Sequence, residues 1–245
     1  MTTKHYLIIA LVGLVTFVAG FLVANRINRS EFDKIRGELE NIKSQTQPQN
    51  AQQTASDLTS AEIDTKIAEA DASPQNFNFQ KGLGIALYRY GASKEDVSII
   101  EKSIKLLERA NSIDASDNDV LVALGNSHFD IGYFKKQNEA FVKGREYYEK
   151  VVNARPQDVE LQTDLGLTYL LVQPPDLEKA ASEFERSLAV DPKHEKTLQY
   201  YAQTLAKQGN TAKANEVIER LRAVNPQNPT IGELTALVNA PSKDK

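Results

Sequence analysis

Cysteine and tryptophan are both absent, and methionine occurs once. Without cysteine the chain has no disulfide, no thiolate metal site and no cysteine nucleophile. A basic excess is also missing. With 29 Lys and Arg against 33 Asp and Glu, the net charge is -4, and the basic face that favours nucleic acid is not indicated. Histidine is scarce, and His5, His128 and His194 lie too far apart for metal-ligand spacing. His128 reads as a packing residue and His194 as an exposed residue after a turn. No strand precedes a glycine-rich phosphate loop, and no carboxylate pair stands out as an acid–base couple. These absences leave no catalytic, cofactor-binding or metal-binding residue to name, and they point away from an enzyme.

Long apolar runs are missing too, with one exception. Tyr6 to Ala24 (YLIIALVGLVTFVAGFLVA) carries no charged residue. At about 1.5 Å per residue it spans most of a hydrocarbon core of roughly 30 Å, and in lipid a helix satisfies its own backbone. Residues 1–25 therefore read as a short tail and a single-pass transmembrane anchor. The run is too long for a cleaved signal peptide, and Leu22-Val23-Ala24 is a poor cleavage motif. Two cues to orientation conflict. Arg26, Arg29, Lys34 and Arg36 after the span favour a cytoplasmic C-terminal part by the positive-inside rule. The short N-terminal tail resembles a bacterial signal anchor, which sends that part outward. The outward form, in a bacterial inner membrane with a periplasmic domain, is preferred here.

Residues 26–43 form a juxtamembrane stretch in which Phe32, Ile35, Leu39 and Ile42 follow a/d spacing. It is a candidate short coiled coil, with a homodimer through residues 30–43 as the functional reading and a solvated helix as the alternative. Residues 44–57 are polar and lack the apolar area to offset their ordering entropy, so they read as a linker that gives reach.

From about residue 58 to residue 240 the chain reads as helix pairs, with 241–245 a tail. A fixed frame recurs. A small residue at Ser103, Gly144, Ala180 and Ala214 precedes a terminal slot at Ala115, Pro156, Pro192 and Pro226 by twelve residues each time. Ten residues then lead from Ala115, Pro156 and Pro192 to Gly125, Gly166 and Ala202, as from Pro74 to Gly84. Gly or Ala lets two helices approach closely, large residues fill the flanks, and Pro stops one helix and presets the next. Leu83-Gly84, Leu124-Gly125, Leu165-Gly166 with Tyr169, Tyr201-Ala202 and Ala180 with Phe184 resemble the tetratricopeptide repeat family. Trp is missing from its large slot, Ala115 stands for Pro and Gly144 for Ala. The fold implied is all-α: a solenoid of about four helix pairs with capping helices, preceded by the transmembrane helix. A Thr59-x-x-Glu62 capping box opens an N-terminal cap helix, and residues 229–239 close the stack, since solenoids need polar-faced ends.

Gly84 to Ser103 and Gly125 to Gly144 are nineteen residues each, against twelve from Ala202 to Ala214. The first two repeats thus carry seven extra residues each, read either as longer helices or as a protruding loop. Tyr133 and Phe134 in the second extension suggest a contact role.

In the resembled family the first helices line a concave groove for peptides or partner helices. The corresponding candidates are Lys81, Ile85, Tyr88, Arg89, Val122, Asn126, Phe129, Asp130, Thr163, Leu167, Leu170, Gln199 and Gln203. Ile85, Tyr88, Phe129, Leu167 and Leu170 would form an apolar strip, with Asn126 bonding a peptide backbone. The alternative for each is packing within its own repeat. Lys81, Ile85, Ala123, Glu160 and Asp164 stand where one subgroup has its carboxylate clamp, and only Lys81 suits that role. The resemblance implies a membrane-anchored scaffold or assembly factor with a protein or peptide partner, no nucleic acid and no cofactor. The alternative is a chaperone-like holder of an unfolded client, as in cytochrome c maturation.

Overall fold

The computed structural model describes residues 59–240. The expected anchor Tyr6–Ala24, the stretch 26–43 and the linker lie outside the described residues. Among those described, no helix is long and apolar enough to cross a membrane. The chain divides between Ile63 and Asp64. Of the first unit only residues 59–63 are described. There the capping box is formed, with Thr59 N–H donating to Glu62 Oε2 at 2.8 Å and Glu62 N–H donating to Thr59 Oγ1 at 3.3 Å.

Ten helices and no strand occur among the described residues: α1 (Ser60–Asp71), α2 (Phe77–Ser93), α3 (Val97–Ile113), α4 (Asn118–Lys135), α5 (Asn138–Val152), α6 (Val159–Leu171), α7 (Leu177–Val190), α8 (Glu195–Lys207), α9 (Thr211–Val224) and α10 (Ile231–Asn239). The helices start where the sequence supplies caps. Asn76, Asp96, Asp117, Asp158, Asp176 and Asn210 each accept a backbone N–H of the first turn, filling donors that helix geometry leaves open.

The tightest pairs are α2/α3, α4/α5, α6/α7 and α8/α9, the four expected repeats. First helices also touch one another in succession, α2 to α4, α4 to α6 and α6 to α8. They therefore form the inner row. Asp64 and Asp71 of α1 pair with Lys102 and Arg109 of α3, so α1 flanks the first repeat as a cap. At the other end α10 buries Ile231, Leu234 and Val238 against α8 and α9.

The frame residues set the packing. A Cβ on Gly166 would lie 2.6 Å from the Phe184 ring, and one on Gly84 would lie 2.8 Å from the Leu107 side chain. Gly125 is likewise covered by the Tyr148 ring. Gly144 stands for Ala because a Cβ there would lie 2.9 Å from the Gly125 carbonyl oxygen, too close for any side chain.

The extra seven residues lengthen helices. α2, α3 and α4 have 17, 17 and 18 residues, whereas α6 and α8 have 13. The protruding loop is not built: only Lys94–Asp96 and Lys136–Gln137 separate the two helices. The added turns carry their own close-packing slot. Gly91 and Gly132, each seven residues past the frame glycine, face Ile100 and Phe141, and their Cβ atoms would lie 3.0 Å and 2.9 Å from those side chains.

Candidate functional site: the concave face

Side-by-side first helices present one row of residues each to the inner face. Lys81, Ile85, Tyr88 and Arg89 of α2, Val122, Asn126, Phe129 and Asp130 of α4, and Gln199 and Gln203 of α8 are all partly buried. α6 departs from the expectation. Thr163 is fully buried, and Leu167 and Leu170 are 3% exposed. The Thr163 hydroxyl donates to the Val159 carbonyl at 2.7 Å and sits 2.9 Å from Ser187 and 2.6 Å from Thr197. The two leucines join the main core. α6 is an interior helix with a first helix on each side and second helices behind it, so its flanks are covered more completely than spacing along one helix can reveal. The apolar strip therefore shrinks to Ile85, Tyr88 and Phe129.

Polar groups take the vacated centre. The Tyr88 hydroxyl donates to Asp130 at 3.1 Å, joining α2 to α4. The Tyr148 hydroxyl donates to Asn126 Oδ1 at 2.8 Å. Lys196 of α8 donates to Asp164 at 2.7 Å and to Glu160 at 3.2 Å, joining α8 to α6. At the outer end Lys81 is 2.8 Å from Asp117 and 3.0 Å from Asp119, and Asp119 also pairs with Arg155. His194 is not the exposed residue expected. Its Nε2 lies 3.0 Å from Glu160 and its Nδ1 lies 2.6 Å from Thr197. His128 packs as expected, stacked on Tyr147 at 5.7 Å, and burial pulls its pKa down to about 4.

Burial pushes the Asp130 carboxyl up to about 6, with the Asp164 charge adding to the rise and the Tyr88 hydrogen bond opposing it. Burial raises Asp164 as well, against the pull of Lys196. Burial works against the Lys196 charge, yet Asp164 and Glu160 together hold its ammonium above the ordinary lysine range. Lys196 is thus spent on two acids, and Asp130 has a hydroxyl as its hydrogen-bond donor.

Three carboxamides remain open. Within the described residues Asn126 uses only its Oδ1, and Gln199 and Gln203 have no side-chain hydrogen bond. All three are among the residues that the repeat register assigns to the groove. Sequence reasoning missed Lys196 and the part played by Asp164 and Glu160, whose link across 32 and 36 residues is visible only once α6 and α8 lie together. No group of three His, Asp or Glu that could hold a metal occurs among the described residues.

Paired helices packed through Gly and Ala slots, with first helices forming the inner row, define a solenoid of the tetratricopeptide type. The model of the tetratricopeptide repeat family matches residues 171–238. No curated protein matches the chain in sequence. Among solved structures, MamA AMB-1 is similar over 66% of this chain and 80% of its own, with 21% identity and a TM-score of 0.53. A second MamA protein structure covers 68% and 82% at 14% identity, with a TM-score of 0.54. MamA MSR-1 covers 67% and 94% at 18% identity, with a TM-score of 0.52. The tetratricopeptide reading is thus supported by sequence over the last repeats and by fold over the helix pairs.

Proposed function

We propose that this protein is a non-enzymatic scaffold or assembly factor, held in a membrane by Tyr6–Ala24, that takes a segment of another protein on its concave face. The observation that carries this reading is the set of open carboxamides, Asn126, Gln199 and Gln203. They stand on the inner row beside Ile85, Tyr88, Val122 and Phe129. Carboxamides both donate and accept, so they match the main chain of an extended segment, while the half-buried apolar side chains take its alternate residues. The tetratricopeptide resemblance supports the same use of this face. The preferred orientation places the solenoid outside the inner membrane, and a neck at residues 30–43 would pair two copies.

Photo-crosslinking of the full-length protein in membranes tests this. A crosslinker at Val122 or Gln203 is expected to trap a discrete partner that one at Glu146 or Arg186, on second helices, does not. The same pattern from both faces would sink the proposal. A smear of many unfolded chains on the inner face would favour the holder over the scaffold. A reporter fused after Lys245 fixes the side of the membrane.

A further inference from the structure

The two long repeats end above the two short ones, and this step creates a second surface, separate from the concave face. From Gly125 to the end of α4 at Lys135 is ten residues, and from Gly166 to the end of α6 at Leu171 is five. α4 therefore overhangs α6 by about 7.5 Å. Asn138, at the start of α5, fastens the lower ledge to this wall. Its Nδ2 donates to the Gln173 carbonyl at 2.6 Å and its Oδ1 accepts the Gln173 N–H at 2.9 Å. Under the overhang lies a cavity of about 210 Å³ lined by Tyr133, Lys136, Asn138, Phe141, Leu171 and Gln173.

Three features define what fits. The volume is below the roughly 300 Å³ of small-molecule sites and suits one large side chain. The Phe141 ring and Leu171 offer apolar contact, and Tyr133 is 51% exposed, an aromatic edge that the fold does not cover. Lys136 lines the rim with its Nζ 5.0 Å from the Tyr133 ring centre, and it has no acidic partner among the described residues. The neighbouring Lys135 is by contrast paired with Glu101.

Lys136 also holds a left-handed backbone, φ 57° and ψ 41°, at the C-cap of α4. A side chain is disfavoured there and glycine is the usual occupant. The same role falls to Glu95 after α2, at φ 53°, and to Gly209 after α8, at φ 76°. What sets Lys136 apart is that its side chain lines an aromatic-walled cavity and lies over the Tyr133 ring.

We infer that this step is a docking pocket for a peptide of a partner protein that presents one large aromatic or aliphatic side chain flanked by acidic residues. The apolar group enters between Phe141, Leu171 and Tyr133, and a carboxylate meets Lys136. The site is independent of the concave-face reading, since it lies on the turn edge of the second and third repeats.

The absence of tryptophan in the chain gives a clean probe. Full-length protein in nanodiscs is titrated with the peptides Ac-Asp-Trp-Asp-NH2 and Ac-Lys-Trp-Lys-NH2, with empty nanodiscs as the blank, and the emission of the peptide tryptophan is followed. The acidic peptide is expected to show a saturable blue shift and to bind at least about tenfold more tightly than the basic one. Lys136→Gly relieves the left-handed strain, so it should keep or raise the melting temperature while weakening the acidic peptide about fivefold or more. Tyr133→Ala, at an exposed position, should weaken it without loss of fold. Gln203→Ala, a concave-face change on α8, should leave it unaltered. Equal binding of the two peptides, no saturable shift up to about 1 mM, or indifference to both Lys136→Gly and Tyr133→Ala would overturn the inference.

Discussion

Asp130 shows at single-residue scale how a buried carboxyl on the concave face opposes stability. Its carboxyl is raised to about 6 from an ordinary value of 3.8, chiefly by burial. The sign follows from linkage. A carboxyl raised in the folded state binds its proton more tightly there than in the unfolded chain. Its favourable contribution is complete below about pH 3.8 and is lost as pH rises through about 6. At neutral pH the charged form is a liability of about 1–3 kcal/mol. Asp130→Asn keeps an oxygen for the Tyr88 hydroxyl and removes the charge. Urea unfolding should show the variant more stable than the parent by that amount at pH 7.5, with the gap nearly closed at pH 4. A gap between variant and parent that is the same at both pH values would contradict the assignment.

The helix and the turn are the scale at which the sequence was most informative, and the joints between repeats show why. Asp114 (φ -134°, ψ 98°), Asp191 (φ -127°, ψ 97°) and Asn225 (φ -141°, ψ 93°) share one backbone conformation. Each accepts the N–H two residues on, at 2.9, 2.9 and 3.1 Å. This extended conformation suits a residue that precedes proline, and Pro192 and Pro226 follow two of the three. Ala115→Pro should therefore enter an equivalent joint without strain and stabilise by about 0.4–1 kcal/mol through the unfolded chain. Circular dichroism melting checks this, and a lowered melting temperature would mean that the joints differ. Because the turn chemistry is local, the frame was legible from spacing. Gly91 and Gly132 were in plain view as well, and their interval of seven residues from the frame glycines was the signal for a longer, fully packed hairpin. The burial of Thr163, Leu167 and Leu170 was not legible. It depends on two neighbouring repeats closing over α6, a non-local fact that no single-helix pattern carries.

At the scale of the whole molecule, the concave face carries bonds that cross between repeats at two of its joints. Tyr88–Asp130 ties the first repeat to the second, and Lys196 with Asp164 and Glu160 ties the third to the fourth. In a solenoid each repeat touches only its neighbours, so such ties help decide whether it unfolds as one body or in pieces. Lys196→Met leaves Asp164 without its cation and Glu160 with only the His194 ring. Since Lys196 is partly open to solvent, the expected cost at pH 7.5 is a modest 1–2 kcal/mol, about what remains of a bridge after screening. The loss should shrink in acid as Asp164 and Glu160 take up protons, and the unfolding transition should broaden as the last repeat separates. Chemical denaturation at pH 5 and 7.5 measures both effects. A sharp, unshifted transition would show that these bonds do not couple the repeats.

The shared joint has one more consequence. Pro192 to Asn225 starts just after one joint and ends at the next, so it is a closed period of the structure. A second copy spliced after Asn225 would meet the same backbone angles, the same turn bond and the same packing slot that it leaves. The chain can therefore lengthen by duplication without redesign of either end, and the number of repeats is a variable that selection can adjust separately from the fold.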